Sequence, residues 1–149
     1  MNPHELLDTY HSNVQAFIKA AKAISPDKMN TQSAPDQWSA AFIIHHMADA
    51  ELQFGVRFAN TLVEDNPAIV PFDEEKFPIG LQYEKRNPQI SLTAFEAAHN
   101  LNYEVLNNAS VEDWNRTSVH PDKGLVHLTS LVKLCGGHIG THIEQLKDS

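Results

Sequence analysis

The sequence predicts an all-α protein, a four-helix bundle. Three observations carry that reading: long proline-free stretches with apolar residues at three-to-four spacing, prolines and turn formers gathered between them, and no strand-like alternation of useful length. At 149 residues the chain has the usual size of a single domain, taken here as residues 1–149, and can bury about two-thirds of its unfolded surface in one core.

The first helix follows from Leu6/Leu7, Tyr10, Val14, Phe17/Ile18, Ala21 and Ile24, with Asn2 suited to its cap and Pro3 to its first turn. Residues 25–37 carry two prolines and several turn formers, so this helix stops near Ile24. A second helix starts at Ser39. From Ala40 to about Val63 there is no proline, and Ile43, Met47, Ala50, Phe54, Phe58 and Leu62 mark a buried stripe over about six turns. Residues 64–88, with four prolines and two phenylalanines, are too long and irregular for a simple hairpin loop and are expected to pack across the bundle. A third helix follows Ser91 or Thr93, where Thr93 and Glu96 have capping-box spacing, and runs to about Asn108 with Leu101 and Val105 inward. After a turn-like H-P-D-K-G loop, Thr129 opens a fourth helix that reaches Leu146 or Lys147.

Composition excludes several classes. No stretch has the apolar length of a membrane span, and the N-terminus shows neither a basic leader nor an apolar signal core, so the expected location is the cytoplasm. One cysteine, Cys135, allows no internal disulfide. A formal charge of −8, with eleven scattered basic residues, argues against a nucleic-acid partner, which needs clustered Lys and Arg to displace counterions.

Histidine is the unusual residue, nine in all. His4, His11, His45 and His99 read as isolated surface or core-edge positions, and His120 and His127 flank the Pro/Gly loop. In H-I-G-T-H, however, His138 and His142 stand at i and i+4, one helical turn apart, so two imidazoles can converge on one ion. Gly136, Gly137 and Gly140 lie beside them, at a cost of about 1 kcal/mol each relative to alanine within a helix. Their presence fits room for a cavity around the imidazoles, or else close helix packing. A third ligand must come from another helix. The adjacent His45 and His46 both qualify, and since neighbours point about 100° apart only one can face the bundle axis.

Trp38-Ser39 followed by H-M-A-D-A-E at residues 46–51, D-N-P-A-I-V-P-F-D-E at 65–74, and R-T-S-V-H-P-D-K-G-L-V-H-L at 116–128 leading into H-I-G-T-H at 138–142 together form an ordered set of blocks. This set resembles the DinB/YfiT-like superfamily over roughly residues 38–146. The chain departs from the YfiT-like pattern just before His138, where Cys135, Gly136 and Gly137 replace aromatic and histidine-rich residues. The resemblance implies a four-helix bundle and assigns His46, His138 and His142 as the metal ligands. It also implies a metal-dependent enzyme, either a hydrolase or a low-molecular-weight-thiol S-transferase akin to mycothiol-dependent isomerases and bacillithiol transferases; a non-catalytic metal- or ligand-binding bundle is the alternative.

Three imidazoles suit one divalent ion, zinc or nickel first and iron next, with a coordination position left open to activate water or a thiol cosubstrate. The expected partner is a small-molecule substrate, and a homodimer is allowed. Asp49 and Gln145 stand one turn beyond His46 and His142 and are candidates to orient an imidazole or touch a metal-bound group. Arg57 and Arg116 are candidates to receive an anionic group of the substrate. Cys135, three residues before His138, is expected to be a small buried packing residue and not a fourth ligand.

Overall fold

Three of the four long helices begin where a side chain accepts from a free N–H group of the first turn. In the computed structural model, which describes residues 2–149, α1 spans Pro3–Lys22 and α2 spans Ala40–Val63. Asn2 accepts from the Glu5 amide at 2.9 Å, and Ser39 Oγ from the Phe42 amide at 3.2 Å. A short α3 covers Lys76–Gly80, α4 covers Pro88–Asn107 and α5 covers Leu128–Lys147. Helices α1, α2, α4 and α5 form the bundle. Helix α1 packs on α4 and α5, and α2 packs on the same two, so the order around the bundle is α1, α5, α2, α4. The core is filled by Tyr10, Val14 and Phe17 of α1, Ile43, Met47 and Phe58 of α2, Phe95 and Leu106 of α4, and Leu128, Val132 and Ile139 of α5.

The third bundle helix differs from its sequence reading. It starts at Pro88, capped by Asn87, whose side chain accepts from the Gln89 amide at 2.8 Å. Thr93 is inside the helix and donates to the Gln89 carbonyl, so its spacing from Glu96 forms no capping box. Leu101 is exposed, because the buried residues of α4 are Ser91, Leu92, Phe95, His99, Asn102 and Leu106. Three of these are polar, which concealed the stripe from an apolar count.

A β-hairpin is the second difference. Strands β1 (Thr117–His120) and β2 (Gly124–His127) pair antiparallel, with Thr117 opposite His127 and His120 opposite Gly124. Each has four residues, too few to show alternation, and Gly124 takes φ +73°, which a glycine adopts without strain. The hairpin organises the long connection. Val119 donates to the Pro67 carbonyl and accepts from the Ile69 amide, each at 2.8 Å, so residues 67–69 are laced to β1. This fixes where the following residues, Pro71 to Glu74, lie against α2. Among the described residues no helix is long and apolar enough to cross a membrane.

Candidate metal centre

Helices α2 and α5 bring three histidines to one point. His138 Nε2 lies 3.1 Å from His46 Nε2 and 3.0 Å from His142 Nε2, and the three ligand atoms all fall within 4.8 Å of one another. Around a tetrahedral ion with 2.0–2.1 Å bonds, nitrogens stand about 3.3 Å apart, so the spacing suits such an ion. Burial pushes the His46 pKa down to about 3, with His142 and His138 adding to the effect, and pushes His138 down to about 4, with His142 adding. Burial lowers His142 as well, partly opposed by Gln145 and Glu74. All three rings are therefore neutral at pH 7 and carry a lone pair. His142 Nδ1 lies 2.7 Å from Gln145 Oε1, which holds the proton on Nδ1 and leaves Nε2 as the donor atom.

Aromatic rings wall the cluster. Trp38 stacks on His142 with centroids 5.8 Å apart and planes 10° apart, and Phe72 stacks on His46 at 5.6 Å and 23°. Glu74 Oε2 is 4.0 Å from His46 Nε2. A cavity of about 280 Å³ opens beside the histidines, lined by His46, His138, Phe72, Glu74, Arg57 and His120 among others. Three converging neutral imidazoles, with no carboxylate or thiolate among the described residues completing the set and an open cavity alongside, fit a catalytic ion with an open position better than a closed structural one.

The other predicted residues divide. Gln145 is where its spacing put it. Asp49 is not: it accepts from the Tyr83 hydroxyl at 2.7 Å and from Arg86 at 2.9 Å, and this pairing, together with its place on the face of α2 turned to residues 83–91, keeps it from orienting His46. Arg116 is also outside the site. It donates to the Thr61 and Glu64 carbonyls at 2.8 Å and pairs with Asp65 at 3.5 Å, closing the C-terminal end of α2. Arg57, in contrast, lines the cavity. His45 turns away, its Nδ1 2.8 Å from Ser91 Oγ on α4, and burial lowers its pKa to about 4, so of the two adjacent histidines His46 is the one facing His138 and His142. The glycines chiefly serve helix packing: a Cβ on Gly136 would meet the Tyr10 backbone at 3.4 Å, and one on Gly140 the Asn13 side chain at 3.3 Å, whereas Gly137 is open.

Cys135 is buried, its Sγ 3.7 Å from Glu51 Oε2, and burial raises its pKa with Glu51 adding. It belongs to a polar cluster at the bundle centre that also holds Tyr10, Asn102 and His99. Sequence reading missed Trp38, Phe72, Glu74 and His120 as site residues. The blocks that contain them carried the signal, without separating wall from framework.

Comparison with known proteins agrees with this architecture. A curated relative from Bacillus cereus strain AH820, named "Putative metal-dependent hydrolase", is 29% identical over 150 residues, covering 96% of this chain and 86% of its own. A Bacillus anthracis strain A0248 protein of the same name matches with the same identity and coverage. Among solved structures, YfiT from Bacillus subtilis, described as "a probable metal-dependent hydrolase with an unusual four-helix bundle topology", superposes with a TM-score of 0.86 at 22% identity, covering 97% of this chain and 83% of its own. A mycothiol-dependent maleylpyruvate isomerase superposes with a TM-score of 0.81 at 13% identity, covering 98% of this chain and 61% of its own. The sequence pattern of the DinB superfamily matches residues 9–146, and the chain belongs to that superfamily.

Proposed function

We propose that His46, His138 and His142 hold one divalent ion, zinc or nickel by the chemistry of the donor set with ferrous iron as a further candidate, in a cytoplasmic metal-dependent enzyme acting on a small molecule. The observation that carries this reading is the convergence of three imidazole nitrogens from two helices, each ring kept neutral by burial. Once bound, such an ion lowers the pKa of water or of a thiol, which makes the nucleophile for hydrolysis or for thiol S-transfer. The names of the relatives favour the first reaction, and the fold shared with a thiol-dependent isomerase keeps the second in view.

The chain's own residues supply the rest. Glu74, 4.0 Å from His46 and lining the cavity, is placed to accept the proton that the nucleophile gives up. Trp38 covers the His142 ring and Phe72 the His46 ring, and the two limit the access of water to the cluster. Gln145 holds His142 in the tautomer that ligation requires.

The test is a rate comparison. Small esters and amides without thiol, then a chlorodinitrobenzene-type electrophile with several cellular thiols, are assayed with wild type and His142→Ala. Turnover should vanish on chelation, return with the ion, and fall at least about 100-fold in His142→Ala. Equal rates in wild type and His142→Ala would place the activity outside this site, and silence in both screens would favour a binding module.

A further inference from the structure

Arg57 is the one arginine of three that makes no ion pair among the described residues, although the chain holds 19 acidic side chains to 11 basic ones. Its Nη2 donates to the Val70 carbonyl at 3.1 Å, its guanidinium lies 5.1 Å from the Phe54 ring centroid, and its Nε is buried with no hydrogen-bond partner. A buried guanidinium N–H without an acceptor is costly, and a free-energy loss of this kind is retained where a ligand supplies the acceptor. The same side chain lines the cavity that contains His46 and His138.

Helix geometry makes the two ends of this cavity part of one binding surface. Arg57 follows His46 by eleven residues, about three turns or 16 Å along α2, and side chains lean toward the helix N-terminus, so the guanidinium reaches back toward the histidines. Between them the cavity is apolar, with Ala50, Phe54 and Leu134, and beyond His138 it runs into a groove of about 790 Å³ along α5 flanked by Lys123 and Lys133. Glu74 is the one acid on these walls.

We infer that the substrate carries a carboxylate that Arg57 binds, separated by a short apolar spacer from the group that reacts at the three histidines. This rests on the metal reading above. A single negative charge fits better than a phosphate dianion, because Arg57 is the one Lys or Arg side chain on the lining of this cavity. Arg57 is in this account a specificity-determining residue.

The probes are ω-mercaptocarboxylates with spacers of increasing length and the ω-mercaptoamides of equal length, titrated into cobalt-loaded protein and followed by the thiolate-to-cobalt charge-transfer band. Wild type should bind the best-fitting carboxylate at least about tenfold more tightly than its amide, as expected of a charge-assisted pair. In Arg57→Gln that preference should fall below about twofold with amide binding unchanged, and Arg57→Lys should restore part of it. Equal affinities of acid and amide at every length in wild type would overturn the inference while the band itself upheld the metal site. A preference that persists in Arg57→Gln would also overturn it, by assigning the carboxylate to Lys123 or Lys133. No band with any probe, in protein that retains no cobalt, would remove the metal reading and this inference with it.

Discussion

Two histidine-bearing clusters lie along α2, and they are built in opposite ways. At the bundle centre the Glu51 carboxyl accepts from the Tyr10 hydroxyl, from Asn102 at 3.2 Å and from the Cys135 thiol at 3.7 Å, with His99 Nδ1 3.7 Å away and His11 bonded to His99 at 2.8 Å. Three donors there converge on one carboxyl and the cluster closes around it, with His99 Nδ1 left without a hydrogen-bond partner. At the site, His46, His138 and His142 turn their Nε2 atoms toward one another, beside a cavity. Histidine number alone does not separate the two. What separates them is what the histidines face: one cluster gathers on a carboxylate that accepts from three donors, and the other turns three imidazoles on one another beside a cavity.

The largest effect should come from opening the closed cluster. Glu51→Ala leaves the Tyr10, Asn102 and Cys135 donors buried without their acceptor, and should cost about 3 kcal/mol or more in urea unfolding while folded protein keeps its metal. An unchanged midpoint would show that the cluster does not hold the bundle together.

A second contrast appears with pH in metal-free protein. Burial holds His45, His46 and His138 near pKa values of about 4, 3 and 4, against 6.5 for each in the unfolded chain. Between these limits the unfolded state binds more protons, so stability rises with pH there. It is therefore whole above about pH 6.5 and lost as pH falls toward about 4, by at most about 1.4 kcal/mol per pH unit for each histidine. Thermal melts from pH 7.5 to 4.5 measure it, and a flat profile would contradict the neutral state assigned to the rings.

The smallest effect concerns the glycines between the clusters. A Cβ on Gly137 meets nothing within 4 Å, so Gly137→Ala should raise stability by about 0.5–1 kcal/mol through helix propensity alone. Gly136→Ala, against the Tyr10 backbone, should not. Equal gains at both would mean that α1 and α5 are less closely packed than described.

The sequence made the four long helices legible because their apolar spacing is regular and their ends carry Asn2-Pro3, Ser39 and proline-rich connections. It concealed the hairpin, whose strands are too short for a pattern, and the true inward face of α4, where His99 and Asn102 replace apolar residues. At the site, the spacing of His138 and His142 was legible in the sequence, but the choice of His46 over His45 needed the family's blocks. Asp49 and Arg116 show the limit of sequence reading: one had a plausible offset from His46 and the other a suitable charge, yet each is held by partners distant in sequence, Tyr83 and Arg86 for one, Thr61 and Glu64 for the other. Glu74 and Phe72 reach His46 because β1 anchors residues 67–69, a non-local pairing that no local pattern announces.

The central claim is that the open cluster holds an ion and the closed one does not. Metal analysis of protein purified without an affinity tag, for wild type, His138→Ala, Cys135→Ala and the triple replacement of His46, His138 and His142, tests it most directly. Wild type and Cys135→Ala should carry about one divalent ion per chain, and His138→Ala and the triple variant should carry none. Stoichiometric metal in the triple variant, or its loss in Cys135→Ala, would contradict the account.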